Sequence, residues 1–317
     1  MKILFAGTPD IAVPSLRKIA GEFNVCGVLT NPDRIRARGK KVLPSPVKQA
    51  AMEFDIPLVQ PERIFREARE AVAALAPDLL VTFAYGRIFG PKFLALFPMG
   101  GINIHPSLLP ELRGSSPIQS AILGGLSKTG ITIQEIALEM DTGNILMQKE
   151  IALYGTETTE SLTESVAGQS ADMLSEVLHA IKNGTATPKV QDENEATYCG
   201  KIEKDDRKID WSKDAETLSN EVRAFIPWPK SVTTFKTKNL MITYALPISE
   251  NQLRIDADST ERPVPGTVLH DLSKKGIIVV CGHGGLLVTK LQLEAKKVME
   301  WKVFLNGNSD IPGSLLL

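Results

Sequence analysis

The sequence predicts an α/β protein, in which a doubly wound, mainly parallel sheet is followed by a small β-barrel domain. In the first part of the chain, short apolar runs typical of strands alternate with segments of helical spacing, and strands separated by helices pair in parallel. After Pro227-Trp228-Pro229 the pattern changes to short β-rich runs split by Gly, Pro and polar turns. A chain of 317 residues is long enough for two domains, each with its own core.

The predicted elements of the first domain follow from this alternation. The strands are 2–7, 24–30, 78–83, 101–105 and 129–136, and the helices are 11–22, 117–124 and 159–183. The turn Gly7-Thr8-Pro9-Asp10 closes the first strand. Ligands of doubly wound sheets bind outside the carboxyl ends of the strands, so we expect the functional site at that edge.

The second domain is predicted as a Greek-key, OB-like barrel with an amphipathic helix before it. The helix is 214–225, and the strands are 231–235, 240–246, 266–270, 276–281 and 286–291. The stretch before this helix is polar and aperiodic, which is typical of a linker. We therefore predict a catalytic domain over 1–188, a linker over 189–208 and a second domain over 209–317.

Composition excludes several classes of protein. An apolar fraction of 43% and a charged fraction of 23% are ordinary for a globular protein, and the sequence has neither an eighteen-residue apolar run nor a signal-peptide pattern. We expect a cytoplasmic protein without a membrane span. Cys26, Cys199 and Cys281 are odd in number and widely spaced, which argues against a disulfide framework and a zinc site. We therefore expect no metal.

The most informative motif is Asn103-Ile104-His105, which is followed further on by Asp141-Thr142-Gly143. In a strand, Asn103 and His105 leave the same face, and the Asp141 turn can return a carboxylate to the sheet edge. Each part alone is weak, because a His at a strand end is more often structural and Asp-x-Gly is ordinary turn chemistry. Of the four His residues, however, only His105 lies beside an amide at a strand-to-loop transition.

Other catalytic motifs are missing. After the first strand, Gly7 alone is present where a dinucleotide fingerprint has three glycines, so a nicotinamide or flavin enzyme is not expected. Walker A, G-x-S-x-G and H-E-x-x-H patterns are also absent. Asn103, His105 and Asp141 are therefore the predicted catalytic residues.

Segments spread along the whole chain show a resemblance to those of a known family. The segments that carry it are Phe5-Ala6-Gly7-Thr8-Pro9-Asp10, Pro32-Asp33-Arg34, Arg38-Gly39-Lys40-Lys41, Pro44-Ser45-Pro46-Val47-Lys48, Ala84-Tyr85-Gly86, Asn103-Ile104-His105, Ser107-Leu108-Leu109-Pro110, Arg113-Gly114, Pro117-Ile118-Gln119, Asp141-Thr142-Gly143, Gln191-Asp192-Glu193, Ile209-Asp210-Trp211 and Pro227-Trp228-Pro229. Together they resemble the methionyl-tRNA formyltransferase family nearly end to end. The Asn-x-His and Ser-Leu-Leu-Pro part is shared by all transferases that use 10-formyltetrahydrofolate, whereas the basic loop and Pro-Ser-Pro-Val-Lys point to the tRNA enzyme.

The resemblance implies a Rossmann-like formyltransferase fold and a reaction. The formyl group of 10-formyltetrahydrofolate, a cosubstrate, would pass to the α-amino group of initiator methionyl-tRNA. Asn103 and His105 would donate to the formyl oxygen, and Asp141 would either relay protons through water or hold His105 charged and oriented. The folate-binding residues implied in the same way are Ser107, Leu108, Leu109, Pro110, Tyr85, Gly86 and Ile88.

A run of basic residues is the implied contact for tRNA. Its members are Arg34, Arg36, Arg38, Lys40 and Lys41, with no acidic residue among them. Charge runs are often only solvated loops, but Gly39 and Pro44 allow this one to reach tRNA phosphates beside the sheet edge. Arg38 is the first choice for an acceptor-stem contact. Ile35-Arg36-Ala37 stands where the family more often has Pro-Ala-Gly, which makes this loop more cationic.

Three alternatives stay open at this point. A sugar-nucleotide formyltransferase or a formyltetrahydrofolate hydrolase would keep Asn103, His105 and Asp141 without needing the basic loop. A noncatalytic tRNA-binding protein on the same fold is the third, and the intact catalytic residues count against it. We expect a monomer that acts on tRNA and folate without a membrane partner.

Overall fold

The structure is a computed structural model that describes residues 1–35, 42–253, 262–269 and 275–317. The chain forms two compact units. The first consists of Met1–Pro117, Lys128–Ala152 and Leu162–Gly200, and the second of Ile118–Ser127, Leu153–Ser161 and Lys201–Leu317. Within the described ranges, no helix combines the length and the apolar character needed to cross a membrane.

The regular elements through residue 199 alternate between strands and helices. In chain order they are β1 Lys2–Gly7, α1 Val13–Glu22, β2 Asn24–Leu29, β3 Arg34–Ile35, β4 Val42–Leu43, α2 Pro46–Glu53, β5 Leu58–Val59, α3 Arg66–Ala74, β6 Leu79–Phe83, α4 Pro91–Leu94, β7 Gly101–His105, β8 Arg113–Gly114, α5 Pro117–Leu123, β9 Lys128–Glu135, β10 Ile145–Ala152, α6 Thr159–Asn183 and β11 Tyr198–Cys199.

Seven of these strands form the sheet of the first unit, in the order β10-β9-β7-β6-β1-β2-β5. The neighbouring strands β5, β2, β1, β6 and β7 pair in parallel. At the other edge of the sheet, β9 pairs antiparallel with β7, and β10 pairs antiparallel with β9. The predicted doubly wound, mainly parallel sheet is confirmed. Strand β10 was not predicted, because it lies at the edge and most of its side chains are exposed or half-buried, which removes the apolar alternation.

The strand order reverses between β1 and β6, and doubly wound sheets bind their ligands at this kind of switch point. Both strands are buried along almost their whole length, which explains their continuous apolar sequence. A Cβ atom on Gly7 would lie 2.9 Å from the carbonyl oxygen of Phe83. Glycine at this position therefore allows the ends of β1 and β6 to approach closely.

The second unit is antiparallel. Its elements after residue 200 are α7 Ala215–Ala224, β12 Ser231–Phe235, β13 Lys238–Ile248, β14 Ile277–Val280, β15 Gly285–Leu293, β16 Met299–Glu300 and α8 Trp301–Asn306. The strands form one sheet in the order β12-β13-β15-β14, with β16 beside β15. The helix α7 begins after Asp214, whose carboxylate accepts the backbone N–H of Thr217 at 2.7 Å.

The core of this unit contains Trp211, Leu218, Ile242, Leu286 and Phe304, drawn from the sheet, the two helices and the chain before α7. The predicted antiparallel, β-rich character of the second domain is confirmed. The predicted strand 266–270 is not a regular strand over its described residues, where only isolated bridges from residues 267 and 268 occur. His270 lies outside the described residues.

The predicted boundaries at 188 and 208 stay a prediction. Part of the predicted linker, up to Gly200, belongs to the first unit. Its polar residues are not all solvated, because Gln191 is buried and β11 pairs with β8. A polar and aperiodic sequence is also what a segment needs when buried hydrogen bonds, rather than apolar contacts, hold it in place.

Candidate active site

Asn103 lies on β7 near the carboxyl end of the strand, where its amide is oriented by a hydroxyl group. The Thr82 hydroxyl donates to Asn103 Oδ1 over 2.6 Å. Thr82 is on β6, and it lies opposite Asn103 in the parallel register of the two strands. Because the amide oxygen is occupied in this way, the NH₂ group of Asn103 is the part of the side chain that is available to donate.

His105 ends the same strand and is buried. Its Nε2 lies 2.9 Å from the carbonyl oxygen of Leu112, which can only accept, so Nε2 carries a proton. Its Nδ1 lies 3.5 Å from Asp141 Oδ2. Burial lowers the pKa of the His105 imidazole, and the Asp141 carboxylate and the Leu112 carbonyl offset part of that shift. Nε2 is therefore the nitrogen that is held as a donor, and Nδ1 is the nitrogen that faces Asp141.

Asp141 lies on the turn between β9 and β10, and both carboxylate oxygens accept hydrogen bonds. The backbone N–H of Gly114 donates to Oδ2 over 2.9 Å, and Gln134 Nε2 donates to Oδ1 over 3.0 Å. Asp141 has a φ of 58°, a left-handed conformation that Asp tolerates better than most residues. A Cβ atom on Gly143 would lie 1.7 Å from the carbonyl oxygen of Glu135, so the turn requires glycine there.

The structure thus places the three predicted catalytic residues as the sequence suggested. Asn103 and His105 lie two residues apart on β7, and Asp141 approaches the imidazole from the following turn. Their roles in catalysis stay a prediction. Both nitrogens of His105 already face protein atoms, so donation from this ring to a formyl oxygen requires one of these contacts to be exchanged for the substrate.

The loop Ser107 to Pro110, which is predicted to bind folate, is held in place by hydrogen bonds with side chains of β9 and β10. The Thr132 hydroxyl donates to the carbonyl of Ser107 over 2.7 Å and accepts from the backbone N–H of Leu109 over 3.1 Å. Gln148 Nε2 donates to the carbonyl of Leu109 over 2.7 Å. The Ser107 and Leu109 side chains and Pro110 are buried, whereas Leu108 is half-buried. Leu108 is therefore the side chain of this loop that a ligand can reach most readily.

The predicted folate residues after β6 differ in exposure. The Tyr85 ring is buried and stacks on Phe89, and its carbonyl accepts from Asn31 Nδ2 over 3.0 Å. Gly86 is exposed with a φ of 77°, and the Ile88 side chain is 79% exposed. Gly86 and Ile88 are therefore accessible to a ligand, whereas the buried Tyr85 ring packs beneath the segment that carries them.

The predicted tRNA-binding loop can be described only at its base. Arg36, Arg38, Lys40 and Lys41 lie outside the described residues, and Arg34 contributes backbone to β3. A salt bridge connects the segments before and after the loop, with Lys48 Nζ 2.6 Å from Asp33 Oδ2.

Several residues that support the site have no role that the sequence motifs indicate. They are Thr82, Gln134, Arg113 and Gln191. A signal existed for Thr82, which is a polar residue inside an otherwise apolar strand pattern. Among the described residues, there is no group of three or more His, Cys, Asp and Glu side chains that could hold a metal ion.

This fold and this site define a formyl transferase. A family model described as "Formyl transferase" matches residues 1–178, and one described as "Formyl transferase, C-terminal domain" matches residues 201–309. The fold is similar to that of WlaRD, a sugar 3N-formyl transferase crystallised with dTDP and 5-N-formyl-THF. The TM-score is 0.65 at 19% identity, over 94% of this chain and 99% of that one.

Curated proteins with similar sequences indicate which family of formyl transferases this is. The chain is 45% identical to the methionyl-tRNA formyltransferase of Treponema denticola, over 98% of both proteins. It is 42% identical to that of Treponema pallidum, over 97% of both. The chain belongs to the methionyl-tRNA formyltransferase family.

Proposed function

We infer that this protein transfers the formyl group of 10-formyltetrahydrofolate to the α-amino group of methionine on initiator tRNA, giving formylmethionyl-tRNA for translation initiation. The observation that carries the chemistry is the oriented Asn103 amide on the same strand as a buried His105 whose Nδ1 lies 3.5 Å from Asp141. Membership of the family, with relatives matched over almost their whole length, supplies the two substrates.

In the first step, the amine nitrogen attacks the formyl carbon, and negative charge develops on the formyl oxygen. The α-amino group has a pKa of about 7.7, so about a sixth of it is neutral at pH 7 and needs little activation. The NH₂ group of Asn103 donates to the developing oxyanion, because Thr82 holds the amide oxygen on the other side. This preorganised donor lowers the barrier without reorienting during the reaction.

In the second step, the bond from the formyl carbon to N10 of the folate breaks, and a proton moves from the attacking nitrogen to N10. His105 and Asp141 form the proton-handling pair. Since His105 Nε2 is committed to the Leu112 carbonyl, Nδ1 is the nitrogen that can exchange a proton, and Asp141 stabilises the imidazolium that results.

The proposed folate site fits a flat pterin. Exposed Gly86 and Ile88 follow β6, and half-buried Leu108 follows β7, the neighbouring parallel strand. Apolar side chains beside exposed main-chain groups suit a ring with amide-like edges. The framework beneath them is held by Thr132 and Gln148, so the site is largely preformed.

The test is a formylation assay with four acceptors: charged initiator tRNA, charged elongator tRNA, a dTDP-amino sugar and water. We expect formyl transfer to initiator methionyl-tRNA with release of tetrahydrofolate. Folate release in water alone would instead indicate a hydrolase. Transfer to a dTDP-amino sugar and to neither tRNA would indicate a sugar-nucleotide enzyme.

The basic loop is proposed to contact the acceptor stem, and Arg38→Ala is expected to raise the KM for tRNA roughly tenfold, equivalent to about 1.4 kcal/mol. The slope of log affinity against log salt concentration should fall by about one. The measurement is steady-state kinetics against tRNA at several salt concentrations. The KM for the folate should be unchanged.

The matched control for this charge removal is Arg66→Ala. Arg66 is exposed on α3 and pairs with Glu70. Its replacement should leave the KM for tRNA near the wild-type value. An equal rise in both variants, or an equal loss of folate and tRNA affinity in Arg38→Ala, would remove the loop from this role.

We also propose that the protein acts as a monomer in the cytoplasm, where charged initiator tRNA is made and used. A molar mass from light scattering that matches one 34.5 kDa chain would support the monomer. A mass of two chains would contradict it.

A further inference from the structure

A series of buried side-chain hydrogen bonds leads from Arg113 to Asp141. Arg113 is only 1% exposed, and its Nε and Nη2 lie 3.1 and 2.8 Å from Gln191 Oε1. Gln191 Nε2 lies 3.2 Å from Gln134 Oε1, and Gln134 Nε2 lies 3.0 Å from Asp141 Oδ1. Gln191 and Gln134 are 5% and 2% exposed, so these bonds are shielded from water.

The series has a direction that chemistry imposes. A guanidinium group can only donate, so Gln191 must turn its oxygen to Arg113 and its NH₂ group to Gln134. Gln134 must then turn its oxygen to Gln191 and its NH₂ group to Asp141. If either amide flipped, its NH₂ group would face another donor, or its oxygen would face another acceptor. The direction set at Arg113 therefore ensures that Asp141 Oδ1 receives a donor.

Gln191 also holds the backbone of the Asp141 turn. Its Nε2 lies 2.9 Å from the carbonyl oxygen of Asp141 and 2.7 Å from that of Gly143. The amide has two hydrogens and three acceptors within reach, so it shares them between the turn and Gln134. One side chain therefore orients both the carboxylate and the turn that carries it.

The same segment of the chain supports the partner of Asp141. The Thr197 hydroxyl accepts the backbone N–H of Leu112 over 2.8 Å. Leu112 has a φ of 56°, and its carbonyl is the acceptor for His105 Nε2. The chain from Gln191 to Thr197 is thus bonded to both turns that determine how His105 and Asp141 face each other.

We propose that Gln191 is a positioning residue for formyl transfer. It keeps the Asp141 carboxylate directed at His105, because it holds both the Gln134 amide and the Asp141 turn in one orientation. The proposal rests on the proposed function, in which His105 and Asp141 handle the proton. Glu193 Oε1 and Oε2 lie 2.7 and 2.8 Å from Arg113, so the charge at the start of the series is neutralised. Among the described residues, Asp141 is the charged group that lies beside His105.

The informative variant is Gln191→Glu. Its carboxylate still accepts from Arg113, but it offers nothing to Gln134 or to the two turn carbonyls, so the direction of the series is lost. We expect kcat to fall about 100-fold, the size of effect that misplacement of a catalytic group by about 1 Å produces. The KM values for folate and tRNA should stay within about twofold.

A second readout does not depend on activity. The ¹⁵N shifts of the His105 ring report its titration, and the attraction of Asp141 is what raises the pKa of this buried imidazole against the effect of burial. If Gln191→Glu lets the carboxylate turn away, His105 should titrate at a lower pH than in the wild type. Asp141→Asn provides the limit of this shift, and His105→Asn assigns the signal.

Gln148→Met is the matched control, because it removes a glutamine amide that supports the folate loop and not Asp141. It should raise the KM for the folate and leave the His105 titration in place. If Gln191→Glu does not fold, as judged by circular dichroism, Gln134→Met is the second variant. It removes the donor to Asp141 and one acceptor for Gln191, leaves the bonds from Gln191 to the turn carbonyls, and should shift the titration the same way.

The inference is overturned if the wild-type His105 titration and kcat persist in Gln191→Glu, or if Gln148→Met moves the titration equally. A wild-type protein that formylates neither tRNA contradicts the proposed function instead. In that case the His105 titration still decides whether Gln191 positions Asp141.

Discussion

Replacement of Asn103 by alanine is expected to lower kcat by about 100- to 1000-fold, the usual cost of losing one oxyanion donor. The KM values for folate and tRNA should change little, because the amide acts on charge that develops only in the transition state. The measurement is steady-state formylation of initiator methionyl-tRNA.

Two further variants make this prediction specific. Thr82→Val removes the hydroxyl that orients the Asn103 amide, so it should reduce kcat in the same direction but by a smaller factor. Asn183→Ala, at the exposed end of α6, is a matched control and should leave kcat unchanged. If Asn103→Ala raised the KM for folate while kcat stayed constant, the amide would be a ground-state contact and not an oxyanion donor.

Asp141→Asn is expected to have the second large effect, a fall in kcat of roughly 100- to 10,000-fold, the range for removal of an acid–base group. The asparagine NH₂ group would face either Gln134 Nε2 or the N–H of Gly114, which are both donors, so the side chain would also lose its orientation. Single-turnover kinetics with saturating substrates would separate this loss of chemistry from any change in binding.

The control for Asp141→Asn is Asp172→Asn on α6, where the carboxylate is largely exposed and lies 3.3 Å from Lys18. It should retain wild-type kinetics. A reduction in Asp141→Asn of less than about tenfold would show that proton movement does not depend on this carboxylate, and His105 or solvent would then carry the step alone.

Much of the fold could be predicted because the periodicity of apolar residues is a local property. The strands at 2–7 and 101–105 and the helix at 159–183 have the bounds that the pattern indicated. Elements whose sequence is not shaped by a buried face were missed. Strand β10 is largely exposed, and the short strands β8 and β11 exist because each pairs with the other across 85 residues.

The three candidate catalytic residues could be singled out because Asn103 and His105 share a strand face through local geometry alone, and the Asp141-Thr142-Gly143 turn can return a carboxylate to the same sheet edge. The buried hydrogen bonds that hold these side chains in place could not be predicted in the same way. Gln191 lies 50 residues from Asp141, and nothing in the polar sequence around it shows that its amide will be buried. The predicted folate residues illustrate the same limit, since exposure separates Ile88 from Tyr85 although they are three residues apart.

By itself, the sequence determined the alternation of strands and helices, the sheet edge at which a functional site is expected, and which side chains are proposed to form it. These follow from spacing along the chain, which local backbone geometry converts directly into faces and edges. Only the tertiary structure decided how those side chains are oriented. The direction of each amide and the protonated nitrogen of His105 depend on which donors and acceptors distant segments bring to them, and hydrogen bonds over such separations leave no periodic signal in the sequence.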